Sequence, residues 1–221
     1  MLLIFDWDGT LIDSTAKIVA SVQAAAQRLE LPVLPDAEVK NIIGLSLNEA
    51  LARLYPALSS SALLALSEAF SKHFVAADQK PCAFYEGVVP ALTSLKAAGF
   101  ELAVATGKSR SGLTRVLGNV GWSDFFSATK CAEETASKPH PLMLEQLLSE
   151  FGVRPHEAVM VGDTEYDMAM ARSAGVPRIA VSYGAHHIDR MRPYEPALCL
   201  DRFADLLEWQ PLRQRLESFS S

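Results

Sequence analysis

Near its amino terminus the chain reads Leu2-Leu3-Ile4-Phe5-Asp6-Trp7-Asp8-Gly9-Thr10-Leu11, and this run constrains the architecture of the rest. Its four apolar residues predict a short buried strand, which ends in two carboxylates separated by one residue. Because side chains alternate along a strand, Asp6 and Asp8 can face the same pocket. Open α/β sheets carry their chemistry at the carboxyl ends of strands. We therefore predict a functional site directly after this strand.

Two close carboxylates repel each other, and a hard cation such as Mg²⁺, which prefers oxygen ligands, would relieve that repulsion. With a metal present, one carboxylate can act as a nucleophile and the other as a proton donor. The alternative is an Asp-Gly turn after a core strand, in which the aspartates cap backbone amides. The stretch by itself leaves both interpretations open.

Composition indicates a globular protein without a nucleic-acid or membrane partner. The 221 residues are 49% apolar and 21% charged, enough to bury a sizeable core. The net charge of −6 offers no basic footprint for nucleic acid. No apolar run approaches the roughly 20 residues of a membrane span, and residues 1–5 lack the basic region of a signal peptide. Cys82, Cys131 and Cys199 are widely spaced and odd in number, which predicts free thiols and a cytoplasmic location.

The segment after the first strand reads as helical throughout. We predict helices over 14–29, 36–43, 46–54 and 62–75, the first with Ser14 as N-cap. The third begins with Ser46-Leu47-Asn48-Glu49, which fits a capping box. No clear strand is predicted between residues 14 and 80.

Strands and helices alternate in the rest of the chain. Strands are predicted over 100–105, 126–129, 158–161 and 178–182, and helices over 88–98, 109–120, 141–151, 167–174 and, interrupted near Pro211, 203–216. Alternation of this kind is typical of a parallel sheet covered on both faces. The predicted fold is α/β, a parallel Rossmann-like sheet flanked by helices with an inserted all-helical cap domain. The core would comprise residues 1–13 and 82–221, and the cap residues 14–81.

Three later stretches also follow predicted strands or lie in the loops beyond them. They are Thr106-Gly107-Lys108, Lys138-Pro139 and Gly162-Asp163-Thr164-Glu165-Tyr166-Asp167. The first offers a hydroxyl and a helix N-terminus for phosphate, although ordinary turn chemistry would also explain it. A lone lysine is usually solvated, and helix capping would explain Asp167. Together, however, these stretches bring carboxylates, a hydroxyl and a lysine to one edge of the predicted sheet.

The order Asp-x-Asp-Gly-Thr, then Thr, then Lys-Pro, then Gly-Asp-x-x-x-Asp resembles the four motifs of the haloacid-dehalogenase-like (HAD) phosphatase superfamily. The resemblance covers nearly the whole chain, because the predicted helical insert matches the small cap type placed after the first motif. It implies a magnesium-dependent phosphatase that acts on a small phosphomonoester.

The resemblance implies a role for each carboxylate. Asp6 would attack phosphorus to form an aspartyl-phosphate, and Asp8 would protonate the leaving alcohol and later activate water. Mg²⁺ would bind a carboxylate oxygen of Asp6, the backbone carbonyl of Asp8, and Asp163. Asp167 would orient either Lys138 or the water ligands of the metal.

The resemblance also implies which groups hold the phosphate. Thr106 and Lys138 would bind phosphoryl oxygens, and Lys108 would only begin a helix. The further phosphate-binding positions, several of them through backbone amides, are Trp7, Gly9, Thr10 and Gly107.

Within the superfamily the chain most resembles phosphoglycolate phosphatases, partly because Thr10 stands where similar sugar-phosphate mutases tend to have Val. The candidate specificity residues of the cap are Lys40, Asn41, Ser46 and Arg53, although a solvated helix face would explain each of them equally well. His186 and His187 are expected to form a polar loop. The alternatives are a phosphomutase or pyrophosphatase on the same scaffold, or a non-catalytic phosphate-binding regulatory module.

Overall fold

A computed structural model describes residues 1–77 and 81–219 of the chain. Within these residues a sheet of six parallel strands has the order β3-β2-β1-β4-β5-β6. The strands are β1 (Leu2–Phe5), β2 (Glu101–Thr106), β3 (Ala128–Cys131), β4 (Ala158–Gly162), β5 (Arg178–Val181) and β6 (Leu198–Leu200).

Strand β1 lies at the centre of the sheet, and this position determines where the site forms. From β1 the chain proceeds outward to β2 and β3, then crosses back to β4 on the other side of β1. The reversal creates a topological switch point, where α/β proteins bind ligands at the carboxyl ends of strands. In the sheet Phe5 pairs with Val104 of β2 and Val161 of β4, so the residues that follow all three strands meet at one edge.

Helices cover both faces of the sheet. Leu3 and Phe5 pack with α5 (Val88–Ala97), α6 (Arg110–Asn119) and α9 (Gln210–Phe219), whereas Leu2 and Ile4 pack with α7 (Leu142–Phe151) and α8 (Glu165–Ser173). A strand buried on both faces must be apolar throughout, which explains the run Leu2-Leu3-Ile4-Phe5. The predicted α/β fold class is confirmed.

The first four of the five helices described between β1 and β2 form what we call the cap segment, residues 15–77. They are α1 (Thr15–Arg28), α2 (Asp36–Lys40), α3 (Leu47–Leu54) and α4 (Ser60–Ala76), and α1 packs along α4. Val22, Leu51 and Leu66 belong to a separate apolar cluster within this segment. The division into a core and a cap domain stays a prediction, and residues 78–80 at its second boundary lie outside the described part of the chain.

The predicted helix over 36–43 is too long, because α2 ends at Lys40 and the chain then turns through Gly44. The carbonyl of Asn41 accepts a hydrogen bond from the Tyr166 hydroxyl at 2.8 Å rather than from a helical amide. A contact with the core thus replaces the last helical turn.

Other boundaries differ for similar reasons. Strand β3 begins at Ala128 rather than 126, because Phe126 packs edge-on against Trp7 with the ring centroids 6.2 Å apart. Strand β6 was not predicted, and the predicted tail helix is a 3₁₀ turn over Phe203–Glu208 followed by α9. Pro211 lies in the first turn of α9, where its missing N–H costs no helical hydrogen bond. None of the helices in the described residues combines the length and apolarity that crossing a membrane requires.

Candidate active site

The four predicted stretches converge at the carboxyl edge of the sheet. Asp6 follows β1, Thr106 ends β2, and Asp163 follows β4. These three side chains and that of Lys138, from the loop after β3, are each at most 1% exposed. Polar groups are rarely buried without partners, so their mutual contacts define the site.

Lys138 forms two ion pairs inside the protein. Its Nζ lies 2.7 Å from Asp6 Oδ1 and 2.7 Å from Asp167 Oδ1. Burial lowers the pKa of Lys138, but the charges of Asp167 and Asp6 outweigh burial, so the pKa is raised overall. The ammonium group therefore remains charged and joins two carboxylates.

Asp167 is held by the start of α8. Thr164 is the N-cap of this helix, and its backbone N–H and hydroxyl donate to Asp167 Oδ2 at 3.0 and 2.7 Å. This reciprocal cap leaves Oδ1 of Asp167 directed at Lys138. The geometry supports the expected role of Asp167 in orienting Lys138.

Asp163 is fixed from two sides. The Thr10 hydroxyl donates to its Oδ1 at 2.7 Å, and the Ala185 N–H donates to its Oδ2 at 2.7 Å. Burial and the charge of Asp167 raise the pKa of Asp163 to about 7. Gly9 has φ +84°, and a Cβ there would lie 2.2 Å from Asp163 Oδ2, so only glycine allows this approach.

The carboxylates of Asp6, Asp163 and Asp167 have oxygens within 4.8 Å of one another. Burial raises the pKa of Asp6 well above its usual range, the charge of Lys138 lowers it, and the other two carboxylates raise it further. Asp6 Oδ2 is buried and has no hydrogen-bond partner. An unpartnered oxygen amid excess negative charge fits a divalent cation that prefers oxygen ligands.

Asp8 lies beside this cluster and has two other partners. Ser14 Oγ donates to Asp8 Oδ1 at 2.7 Å, and Lys108 Nζ lies 3.1 Å from each carboxylate oxygen. Lys108 also lies over the ring of Phe74 in α4, 4.8 Å from its centroid. The expectation that Lys108 only begins a helix was wrong.

Ser14 also differs from its expected role. It occupies the N-cap position of α1, but its side chain makes no capping hydrogen bond and binds Asp8 instead. Both partners of Asp8 could have been suspected from sequence, because Ser14 closely follows the first motif and Lys108 lies two residues after Thr106. The sequence does not show that folding brings the side chains of Ser14 and Lys108 into contact with Asp8.

Several predicted phosphate-binding positions have other partners. The Gly9 N–H donates to the Ile12 carbonyl at 2.9 Å, and the Thr10 hydroxyl donates to Asp163, so neither group is free for phosphate. The Trp7 ring is buried and packs edge-on against Phe84, 6.1 Å between centroids, which makes its side chain a core residue. Thr106 and Gly107 line the cavity beside Asp6, and their binding of phosphate stays a prediction.

The turn after α2 lies directly against the core. A Cβ on Gly107 would be 2.3 Å from the Leu45 carbonyl oxygen, so only glycine permits this approach. The Ser46 N–H donates to Ser137 Oγ at 2.9 Å. His186 is 2% exposed; its Nδ1 accepts from the Glu165 N–H at 3.2 Å, while its Nε2 lies 3.3 Å from the Asn41 carbonyl oxygen. His186 therefore lies in a polar loop as expected, but it is buried there and joins core and cap segment.

A cavity of about 290 Å³ lies between this turn, α4 and the end of β1, with Asp6 and Asp8 on its wall. Among the described lining residues there is no candidate specificity residue of the cap. Ser46 caps α3 by accepting from the Glu49 N–H at 3.4 Å, and Arg53 pairs with Glu49 at 2.6 Å. Lys40 lines a separate cavity with Asp36 and Tyr183, and Asn41 binds the core as described above.

Comparison with known proteins agrees with this site. A family model described as haloacid dehalogenase-like hydrolase matches residues 3–181. The chain therefore belongs to the haloacid dehalogenase-like hydrolases.

Individual relatives match along almost their whole length. A probable phosphatase, IndB, from Dickeya dadantii is 32% identical, covering 93% of this chain and 91% of the relative. A phosphoglycolate phosphatase from Mannheimia succiniciproducens is 32% identical, and the match covers 94% of this chain and 96% of the relative. A crystal structure of a predicted phosphoglycolate phosphatase from Haemophilus somnus has a TM-score of 0.82 at 27% identity, and the match covers 94% of this chain and 96% of that structure's chain. These matches confirm the resemblance and the prediction of an enzyme of the phosphatase type.

Proposed function

We propose that the protein is a magnesium-dependent phosphatase that hydrolyses a small phosphomonoester through an aspartyl-phosphate on Asp6. The observation that carries this proposal is the state of Asp6. It is buried at a strand end, ion-paired through one oxygen to Lys138, and without a hydrogen-bond partner on the other. A carboxylate held in this way is oriented for attack and retains a free oxygen.

The residues present fit Mg²⁺ at this position. Asp6, the backbone carbonyl of Asp8, and Asp163 would hold the ion, and Asp167 would remain paired with Lys138. When bound, Mg²⁺ supplies positive charge that offsets the buried carboxylates and the phosphoryl group.

The reaction then proceeds in two displacements. A carboxylate oxygen of Asp6 attacks phosphorus, the ester P–O bond breaks, and the alcohol leaves with a proton from Asp8. Water next attacks the phosphoryl group, Asp8 takes its proton, and the Asp6 carboxylate and inorganic phosphate are released. Ser14 and Lys108 hold the Asp8 carboxylate in place during both transfers.

Lys138 and Thr106 provide electrostatic support. Phosphoryl transfer spreads negative charge over the equatorial oxygens, so fixed positive charge and positioning dominate catalysis. The ammonium group of Lys138 is held by Asp167 next to the nucleophile and needs little reorganisation. Thr106 lies at the end of β2 on the cavity wall.

The direct test measures phosphate release from an aryl phosphate. We expect turnover with Mg²⁺, loss of turnover in EDTA, and recovery when excess Mg²⁺ is added. Asp6→Asn should abolish turnover, since an amide cannot form the covalent intermediate. Unchanged turnover in EDTA or in the variant would contradict the proposal and favour a different reaction or a binding module.

Because relatives that cover nearly the whole chain are phosphoglycolate phosphatases, 2-phosphoglycolate is the reference ester with which other candidates are to be compared. A panel of 2-phosphoglycolate, sugar phosphates and nucleoside monophosphates would rank it and separate a phosphatase from a phosphomutase or pyrophosphatase. We also infer a small phosphorylated metabolite as partner. A cytoplasmic location is inferred as well, consistent with Cys131 and Cys199 lying outside any disulfide.

A further inference from the structure

We propose that the substrate is a phosphomonoester whose alcohol carries an apolar hydrocarbon or aromatic body. This inference rests on the proposed function, because it concerns the part of the same substrate that extends from the phosphoryl group into the cavity. It narrows the substrate class by the chemistry of the cavity wall.

The cavity has two unlike walls. The core wall carries the polar groups, including Asp6, Asp8, Thr106 and Lys108. The wall from the cap segment is apolar, and Ser71 is its single polar side chain among the described lining residues. Representative apolar members from α1, α3, α4 and the turn after α2 are Val22, Ile43, Leu47, Leu51, Phe70 and Val75.

The space is large enough to hold the alcohol part of a substrate. Protein interiors are close-packed, and voids larger than a water molecule are few. A space of about 290 Å³ beside two catalytic carboxylates is close to the lower end of ligand pockets, roughly 300 Å³. Glycolate, with only two carbons, would fill a small part of it.

The charge of the wall argues against an acidic alcohol at the cap end. A carboxylate placed among alkyl side chains would lose its hydration without gaining a partner. The cations among the described lining residues, Lys108 and Arg115, both belong to the core wall, and Lys108 is engaged with Asp8. Sugar hydroxyls at the cap end would likewise find few donors or acceptors. A hydrocarbon body matches this wall without such a penalty.

A series of straight-chain primary alkyl phosphates, from ethyl to hexyl, tests the inference with leaving groups of nearly constant basicity. We expect kcat/KM to rise roughly fourfold per added methylene until the cavity is filled, because each added CH₂ group is transferred from water to the apolar wall. The kcat/KM for butyl phosphate should exceed the kcat/KM for 2-phosphoglycolate and for glycerol 3-phosphate. A flat or falling series, or a clear preference for 2-phosphoglycolate, would overturn the inference.

Two exposed valines of the cap segment provide a matched pair of variants. Val75, at the mouth of the cavity, is 45% exposed, and Val33, away from it, is 54% exposed, so both tolerate a charge without loss of folding. Val75→Asp should flatten the dependence on chain length, and Val33→Asp should preserve it. If kcat/KM rises with chain length in Val75→Asp as steeply as in the unsubstituted protein, the alkyl chain does not lie against this wall of the cavity.

The outcomes separate this inference from the proposed function. If the protein releases phosphate from an aryl phosphate but its kcat/KM does not depend on the length of an alkyl phosphate, the proposed phosphatase function stands and the apolar binding of the alcohol is refuted. If no ester releases phosphate under any metal condition, the phosphatase function is refuted, and the inference about its substrate is refuted with it.

Discussion

Asp8 is held by Ser14 and Lys108, and an amide in its place can keep the contacts of both at Oδ1 while losing only the Lys108 contact at Oδ2. We expect Asp8→Asn to slow turnover by roughly 10²–10⁴-fold, because the amide cannot transfer a proton. The loss should be larger for an alkyl phosphate than for a nitrophenyl phosphate, whose leaving group needs little protonation. Steady-state kinetics with both esters measures this difference. Asp13→Asn, an exposed neighbour, serves as the control, and equal losses for the two esters would argue against Asp8 as the acid.

Lys108, in the core between β2 and α6, positions Asp8 and contacts Phe74 of the cap segment. Lys108→Met keeps the length of the side chain and its contact with Phe74 but removes the ammonium group that binds both Asp8 oxygens. We expect kcat to fall on the order of tenfold, since a small displacement of a reacting group costs much of its effectiveness. Lys72→Met, on the exposed side of α4, should leave kcat unchanged. Wild-type kcat in Lys108→Met would show that Asp8 needs no such support.

At the scale of elements, the contact between the turn after α2 and the end of β2 is testable at Gly107. A Cβ there would approach the Leu45 carbonyl oxygen to 2.3 Å, so Gly107→Ala should push the turn away from the core. We expect a lower kcat/KM, measured with an alkyl phosphate, because the cavity would open to water. In Gly118→Ala, the added Cβ meets nothing closer than 4.0 Å, and stability should rise by roughly 0.5 kcal/mol without loss of activity. Equal kinetics in the two variants would contradict a role for the closed turn.

The elements that sequence predicted best are those whose burial imposes a pattern. β1 and β4 are fully buried, so their apolar runs identify them directly. β6 has only three residues with an exposed Cys199, so no such pattern exists. The end of α2 was mispredicted because a core contact made by Asn41 replaces the last helical turn. Local periodicity carries no information about a contact of that kind.

At the scale of the whole molecule, the cluster of Asp6, Lys138 and Asp163 could be predicted because each member follows a strand and parallel strands end at one edge. The contacts of Asp8 were not predicted, although Ser14 and Lys108 both lie next to the motifs, because no sequence pattern indicates the side-chain approach that joins them to Asp8. His186 likewise gains its role only where core and cap segment meet. Topology therefore determines the centre of the site, whereas its periphery depends on how the cap segment packs.

The cluster of buried carboxylates also makes the stability of the whole molecule depend on pH and metal. Folding raises the pKa of Asp163 from 3.8 to about 7, so the folded state binds this proton more tightly than the unfolded state. In the metal-free protein, ionisation of Asp163 therefore lowers the free energy of unfolding as pH rises from 3.8 to about 7, and the full loss persists at higher pH.

A bound divalent cation favours the ionised carboxylate, and protons compete with the cation at lower pH. We expect Mg²⁺ to raise the melting temperature more at pH 8 than at pH 5, measured by thermal unfolding with and without EDTA. Asp163→Asn should remove most of this difference, and an equal Mg²⁺ effect at both pH values in the unsubstituted protein would contradict a metal site at these carboxylates.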